Sequence, residues 1–188
     1  FCAWWEYEAG PVDEWFFQKK CGECGVSFEA LKEKLFDLVH SRHGRLRWRR
    51  EIESVGMLLS ILGKDRGEAW HLVDAYQSSY DERKFYWRYV GMTGPVEHQA
   101  SPEFVRKALE SVNNTRSVFS LQILQDWLSL GEFKTRDSWD YRINVPGSMG
   151  DQNWSLVAPY SLEAMQKLPA NKMIRKIVVD SGRLIPIK

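Results

Sequence analysis

The chain has 188 residues, of which 44% are hydrophobic and 13% aromatic, and its 26 basic and 25 acidic side chains give a formal net charge of +1. This length suits one domain with a sizeable core. The balanced charge argues against broad electrostatic binding of nucleic acid or of an acidic membrane surface. No apolar run approaches the roughly 20 residues of a membrane span. We therefore expect a soluble, cytoplasmic protein without nucleic-acid or membrane partners.

The first half of the chain is predicted to be mostly helical. Ser27 can cap a helix whose apolar positions follow the 3.6-residue period; these positions are Phe28, Leu31, Leu35, Leu38 and Val39. Three further helices are predicted over about residues 51–62, with Gly63 as a stop, over 68–76 and over 82–89. Gly91 and Gly94-Pro95 then predict a loop over about 91–100.

The second half of the chain is predicted to mix helices with one strand. Ser101-Pro102-Glu103 combines a cap, a first-turn proline and an acid at a helix start. The buried face of that helix is predicted to consist of Phe104, Ala108, Leu109 and Val112. SVFSLQIL, residues 117–124, is short, apolar and partly β-branched, which favours a buried strand. Ser161 caps a short helix ending near Pro169, and Met173, Ile174, Ile177 and Val178 predict a last helix stopped at Gly182, or a strand.

A long polar loop, YRINVPGSMGDQNW, fills residues 141–154. Helix, strand, polar loop and helix is the order of one unit of an α/β barrel, in which the loop after a strand faces the active site. Arg142, Asn144, Asp151 and Asn153 offer donors and acceptors for a hydroxyl-rich ligand, and Trp154 offers a stacking face. Gln125, Asp126 and the loop would then share the catalytic side. The alternative is a structural loop whose Asn and Asp side chains bond only their own backbone.

The order SLQILQDWLSLGE, YRINVPG and NW resembles the amylomaltase, or 4-alpha-glucanotransferase, family. Its members carry a strand with Gln-Asp, a leucine-rich turn, Arg-Met/Ile-Asn-x-Pro-Gly and Asn-Trp. The likeness spans about residues 104–160, and a weaker similarity reaches both ends of the chain. FCAWWEYE is similar to the Trp-rich segment after the family's Thr-His-Asp motif, whose Asp is the transition-state-stabilising carboxylate. This match, and an opening without Met, predict the C-terminal part of a longer protein.

The resemblance implies a (β/α)₈ barrel that transfers α-1,4-glucan segments between malto-oligosaccharides, without a cofactor. Configuration is retained in this family through an Asp nucleophile and a Glu acid/base, as two carboxyl groups roughly 5 Å apart permit. Residues 1–188 would form the C-terminal portion of that single barrel, in need of its remainder. Arg142 and Asn144 are the best-matched candidates to contact the glucan, with Gln125 and Asp126 behind them, and Asn153 and Trp154 further candidates.

The sequence departs from the family pattern in several places. The Thr-His-Asp motif and recognisable nucleophile and acid/base segments are missing, so the chain alone is expected to be inactive. FKTRDSWD, residues 133–140, lengthens a turn, and SMGDQNW rearranges the spacer before Asn153 and Trp154. Two acidic pairs, Asp13 with Glu14 and Glu6 with Glu8, are predicted to be solvated helix or turn residues rather than catalytic ones.

Two other patterns suggest alternatives of other classes. Cys21 and Cys24 followed by His40 and His43 superficially match a zinc finger, but 15 residues separate the pairs and only two lie between the histidines, against about 12 and three to five in such fingers. We therefore predict no metal site. RHGRLRWRR, residues 42–50, is typical of a basic patch, although the acids that follow favour ion pairs. A noncatalytic glucan-binding or partner-docking module remains the alternative function.

Overall fold

A computed structural model describes residues 1–131, 137–145, 147–151 and 153–183 of the chain, apart from the side chain of Tyr80. The described residues are mostly helical, with one small antiparallel sheet. They form two compact units, Trp4–Arg88 and Phe1–Ala3 with Tyr89–Lys188. Within the described ranges, no helix combines the length and apolar character required to cross a bilayer.

In the order of the chain, the first elements are α1 (Cys2–Tyr7), β1 (Val12–Asp13), α2 (Glu14–Glu23), α3 (Phe28–Leu35), β2 (Arg45–Leu46), α4 (Val55–Leu62) and α5 (Trp70–Tyr89). β1 and β2 pair antiparallel, with Val12 opposite Leu46 and Asp13 opposite Arg45. Asp13 also caps α2 by accepting from the Phe16 backbone N–H at 2.8 Å. The two strands thus fix the direction in which α2 leaves the sheet.

An aromatic core fills the unit Trp4–Arg88. Phe17 meets the rings of Phe36 and Trp48 edge-on, with centroids 5.0 and 5.4 Å apart, in a geometry that aromatic pairs favour. The Trp48 indole N–H donates to Ser79 Oγ at 2.7 Å, and Ser79 Oγ donates to the Tyr76 carbonyl at 3.0 Å. The buried Trp48 indole N–H and Ser79 hydroxyl of this core are therefore hydrogen-bonded, as burial favours.

The helix starts and stops encoded by short side chains are confirmed. Ser27 caps α3 by accepting from the Ala30 N–H, and Ser101 caps α6 (Pro102–Asn113) by accepting from the Phe104 N–H. Gly63 ends α4 in the left-handed conformation at φ 62°, which glycine adopts without steric cost. The loop predicted over 91–100 is also present, because no helix or strand occurs there.

Three details of the predicted helices are wrong. α3 ends at Leu35 instead of continuing to Val39, because the extended chain after it pairs with a later segment: Arg49 N–H donates to the Leu35 carbonyl and Asp37 N–H to the Arg47 carbonyl. Leu38 and Val39 are consequently exposed. The helices predicted over 68–76 and 82–89 are one helix, α5, and α4 begins only at Val55.

The second unit contains short helices around a small core. Besides α6 these are α7 (Leu124–Leu128), a 3₁₀ helix (Ser138–Tyr141), α8 (Leu162–Gln166) and α9 (Ala170–Asp180). Val105 and Leu109 of α6 are buried with Ile177 of α9. Val112, predicted to join this face, is exposed. α9 settles the choice between helix and strand, and Ser161 caps α8 as predicted.

The strand predicted at Ser117–Leu124 is wrong. Residues 117–123 have no regular secondary structure, and Leu124 begins α7. Val118, Phe119 and Leu121 are 85%, 78% and 89% exposed. A strand is stabilised by hydrogen bonds and side-chain contacts to a neighbouring strand, and no described backbone pairs with this segment. No parallel barrel sheet is therefore visible in the described part of the chain.

Candidate functional site

The polar loop begins with a helical turn that positions Arg142. Asp137 accepts from the Trp139 N–H at 2.9 Å and so caps the 3₁₀ helix Ser138–Tyr141. The Arg142 N–H closes that helix on the Trp139 carbonyl at 3.0 Å. This turn brings the Arg142 guanidinium to 4.4 Å from the centroid of the Trp139 ring. A guanidinium at this distance over an aromatic face makes a favourable cation–π contact.

A tight turn follows and reverses the chain. The Ser148 N–H donates to the Val145 carbonyl at 3.2 Å, and its hydroxyl donates to the same carbonyl at 2.8 Å. Gly147 lies inside the turn with φ 80°, where a residue with a Cβ would be strained. Pro146, which the sequence also assigns to this turn, lies outside the described residues. The turn therefore rests on Gly147 and on the doubly accepting Val145 carbonyl.

Asn153 joins the two sides of the loop. Its Oδ1 accepts from the Val145 N–H at 3.0 Å, and its Nδ2 donates to the Ser148 carbonyl at 3.0 Å. These are the contacts that a structural role demands, since the amide bonds the backbone of its own loop. The predicted contact of Asn153 with sugar stays a prediction, but its amide already holds the turn.

Trp154 extends from the closed end of the loop into solvent. The Trp154 backbone N–H donates to the Ile143 carbonyl at 2.7 Å. The backbone of this residue adopts φ 62°, and its side chain is 76% exposed. A left-handed bulky residue is rare and is found where the surrounding structure compels it, often at ligand sites. The sequence predicted the stacking face but could not predict this backbone conformation.

In the sequence, Asn144 lies between Arg142 and Trp154. Its side chain is half-buried, and it forms no hydrogen bond with another described residue. A half-buried amide has two donors and an acceptor to satisfy. Asn144 thus differs from Asn153, whose amide is already bonded within the loop.

Gln125 and Asp126 occupy a different place from the one predicted. They lie in α7 and do not follow the end of a strand. The Phe1 amino group donates to Asp126 Oδ1 at 2.7 Å, and the Gln125 carbonyl accepts from the Ser129 hydroxyl at 2.8 Å. Because the strand is absent, barrel geometry does not place these two residues beside the loop.

The two acidic pairs have structural contacts. Asp13 caps α2 and lies 3.3 Å from Arg45 Nη1, and Glu14 lies 2.6 Å from Lys32 Nζ. Glu6 belongs to α1. Asp13 at the cap of α2 and Glu14 in its first turn are helix or turn residues, as the sequence predicts.

The cysteines and histidines of the zinc-finger-like pattern lie in different environments. Burial raises the pKa of the Cys21 thiol to about 12, with the neighbouring Cys24 adding to the shift. Burial also raises the pKa of Cys24, whereas metal ligation needs the thiolate. His40 Nδ1 lies 2.7 Å from Asp37 Oδ2. Among the described residues no group of three or more His, Cys, Asp or Glu side chains could hold a metal ion.

A stacked guanidinium, a half-buried amide and an exposed indole thus lie on one loop that is closed by hydrogen bonds. Comparison with known proteins identifies the family: the family model described as 4-alpha-glucanotransferase matches residues 2–161. The chain belongs to this family, which implies glucan transfer, α-glucan substrates and a TIM-barrel type of enzyme. No curated protein matches the chain, and no solved structure does.

Sequence reasoning missed the part that Trp139 plays in this loop. Trp139 belongs to FKTRDSWD, a stretch that the family pattern does not contain. A Trp three residues before an Arg can meet it only if the chain makes a helical turn between them. Asp137, two residues before Trp139, was the local signal for that turn, since Asp favours helix caps.

Proposed function

We propose that the chain forms part of the glucan-binding cleft of a 4-alpha-glucanotransferase acting on malto-oligosaccharides with retention of configuration. The observation that supports this proposal is that backbone hydrogen bonds close the loop that carries Arg142, Asn144 and Trp154. The family assignment supplies the class of substrate.

Each of the three side chains has a chemical role in this proposal. The Arg142 guanidinium, stacked on the Trp139 ring, donates hydrogen bonds to sugar hydroxyls. The Asn144 amide both donates to and accepts from sugar hydroxyls. Trp154 stacks against the apolar face of a glucose unit. Together they hold an acceptor sugar in place of water, which transfer requires. Gln125 and Asp126 are secondary candidates, because their helix has no defined relation to the loop.

The catalytic carboxylates belong to the remainder of the barrel in this proposal. A retaining enzyme uses an Asp nucleophile and a Glu acid/base roughly 5 Å apart, and the 188 residues hold no recognisable segment for either. The chain positions glucan, and the remainder of the barrel cleaves and re-forms the glycosidic bond. The chain on its own is then inactive.

The test is the substitution Asn144→Ala in the complete enzyme. One lost hydrogen bond costs about 0.5–1.5 kcal/mol, or up to about 3 with a charged partner, so transfer efficiency should fall by roughly 2- to 150-fold. Arg142→Lys should reduce transfer more than its conserved charge suggests, because an ammonium lacks the planar fork of donors. The assay measures glucose release and chain-length redistribution from maltotriose.

Asn153→Ala is the matched control, because its amide bonds the loop itself. Both Asn variants are melted thermally beside the assay. Asn144→Ala should lose transfer without a change in melting temperature. Normal transfer by both Asn144→Ala and Arg142→Lys, or losses that only follow melting temperature, would show that the loop is structural.

The exposed segment 117–123 supports a second candidate, a noncatalytic partner-docking module. Val118, Phe119 and Leu121 form an apolar stretch, and such exposed stretches favour association. Either candidate predicts that the isolated chain is prone to associate. A cooperatively melting monomer at low salt would contradict the interpretation as part of a larger barrel.

A further inference from the structure

The end of α2 and the start of α5 share a continuous run of aromatic and ionic side chains. Lys20 Nζ lies 5.6 Å from the centroid of the Phe16 ring and 2.7 Å from Glu23 Oε2. Glu23 Oε2 lies 3.7 Å from His71 Nε2, and the His71 ring stacks on Trp70 with centroids 3.6 Å apart. We name these five residues the α2–α5 surface. All belong to the unit Trp4–Arg88.

Trp70 is exposed in a helix turn that otherwise faces the core. It is 56% exposed, whereas Leu72 and Val73 are almost completely buried. Leaving such a large apolar side chain in water forgoes stabilisation that burial would give. The His71 ring, inclined by only 28°, covers one face of the indole. An indole with open surface is suited to stacking against a sugar ring.

The ionic side chains provide hydrogen-bonding groups beside this indole. A hydrogen bond from Lys20 lowers the pKa of Glu23 against the opposing effect of burial, and the charges of Lys20, His71 and Lys19 act in the same direction as the hydrogen bond. Glu23 is therefore an ionised acceptor near neutral pH, and Lys20 is a donor. Sugar hydroxyls both donate and accept, so this pairing suits a neutral polyhydroxyl ligand. A polyphosphate would be repelled by the Glu23 carboxylate.

We propose that the α2–α5 surface is a second glucan-binding site, at which an α-1,4-glucan stacks on Trp70 and bonds Glu23 and Lys20. Phe16, also exposed, provides a further apolar contact along the same run. The surface shares no residue with loop 137–154. The identity of the ligand as an α-glucan rests on the proposed function, while the site itself rests on the contacts above. Its effect is to hold a long chain at the protein, so polymers should benefit more than short oligosaccharides.

The experiment compares Trp70→Ala with Trp15→Ala in the 188-residue chain. Trp15 is a matched control because it is 71% exposed on α2 and contacts Lys19, outside the run. Mobility is measured in native gels with and without amylopectin, and maltoheptaose binding is measured by calorimetry. Trp70→Ala should weaken amylopectin binding about tenfold, which corresponds to about 1.4 kcal/mol, and Trp15→Ala should bind as the unchanged chain does. Glu23→Gln should give a smaller loss.

Thermal melts establish whether the variants are folded. We expect Trp70→Ala to fold, because more than half of the Trp70 side chain is exposed. Equal amylopectin binding by Trp70→Ala and the unchanged chain would overturn the proposal. So would equal losses in Trp70→Ala and Trp15→Ala, or an unchanged chain that amylopectin does not retard. Self-association that Trp70→Ala abolishes, without retardation by amylopectin, would show that the surface docks protein instead.

The outcome can be separated from that of the proposed function. Trp154→Ala is run in the same gels, and Asn144→Ala is assayed for transfer in the complete enzyme. Loss of binding in Trp70→Ala beside normal transfer by Asn144→Ala would retain the α2–α5 surface and reject the loop. Loss of transfer in Asn144→Ala beside normal binding by Trp70→Ala would do the reverse.

Discussion

The unit Trp4–Arg88 and the segment 117–123 contain apolar side chains of the same kinds in opposite environments. In the unit, Phe17, Phe36 and Trp48 meet edge-on or tilted and are almost completely buried. In the segment, Val118, Phe119 and Leu121 face solvent. The unit finds its packing partners within its own sequence, whereas no described strand pairs with the segment.

This difference shows what local sequence can and cannot determine. An apolar, β-branched run favours a strand only when another strand offers backbone groups and a packed face. A helix forms its backbone hydrogen bonds internally, so α3 and α4 arise from nearby residues. The comparison can be tested by substitutions that should act very differently in the two regions.

The largest expected effect is the loss of a buried ring in the core. Phe36 is fully buried and packs against both Phe17 and Trp48. Phe36→Ala should therefore lower the free energy of unfolding by about 3–5 kcal/mol. Phe119→Ala should change it by less than about 0.5 kcal/mol, as exposed substitutions usually do. Urea unfolding of both variants gives the two free energies.

The segment should instead affect association. Replacing Phe119 and Leu121 together by Ser should reduce self-association in sedimentation velocity while leaving the unfolding midpoint unchanged. An equal destabilisation by Phe119→Ala and Phe36→Ala would mean that the segment is packed in solution, and the contrast between the regions would fail.

A smaller effect is expected where a glycine makes room for a buried arginine. A Cβ at Gly10 would overlap Arg83 Cδ, and the Arg83 guanidinium lies 4.3 Å from the centroid of the Trp5 ring. Burial, followed by the charge of Arg47, lowers the pKa of Arg83 to about 10, so this side chain is enclosed. Gly10→Ala should therefore cost about 1–3 kcal/mol through overpacking.

Gly22→Ala is the control for that substitution. It lies within α2, and no atom lies within 4 Å of its added Cβ. Ala in a helix should stabilise the chain by about 0.5–1 kcal/mol relative to Gly. Chemical unfolding should give opposite signs for the two glycines. A shared sign would indicate that Arg83 moves aside easily.

The next prediction concerns pH and the buried thiol of Cys21. The folded-state pKa is raised to about 12 by burial, above the value of about 8.5 in an unfolded chain. Between these values the unfolded state binds fewer protons, so stability should fall as pH rises, by up to about 1.4 kcal/mol per pH unit. The contribution is fully present below about pH 8.5.

Cys21→Ala removes this titration. The fall in unfolding free energy from pH 9 to pH 11 should be shallower in Cys21→Ala than in Cys24→Ala, since Cys24 is only half-buried. Zinc content is measured in the same samples. Stoichiometric zinc that disappears in both variants would contradict the prediction of no metal site.

The sequence predicted the features that depend on near neighbours. Ser27 and Ser101 start helices because a hydroxyl reaches a backbone N–H three residues on, and Gly63 stops one because it adopts a left-handed conformation. The end of α3 could not be predicted from its periodicity, because the chain from Leu35 onward pairs with residues ten or more positions later. At this point a tertiary backbone pairing competes with continuation of the helix.

The candidate site was predicted in composition but not in organisation. Arg142, Asn144 and Trp154 were named from their residue types and from the family resemblance. Their arrangement depends on the stacking of Arg142 on Trp139 and on the closure of the loop by Asn153. Both contacts depend on backbone turns whose conformation the residue types alone do not predict.

The smallest expected effect separates the two loop asparagines in stability. Asn153→Ala removes the acceptor of the Val145 N–H and the donor to the Ser148 carbonyl, which should lower the unfolding free energy by about 0.5–1.5 kcal/mol. It should also loosen Trp154, whose left-handed backbone depends on the closed loop. Asn144→Ala breaks no hydrogen bond to a described residue and should leave stability unchanged. Urea unfolding and limited proteolysis within 141–154 measure the two effects. Equal stability and equal cleavage in both variants would mean that Asn153 does not hold the loop, and that other contacts order the side chains proposed to bind glucan.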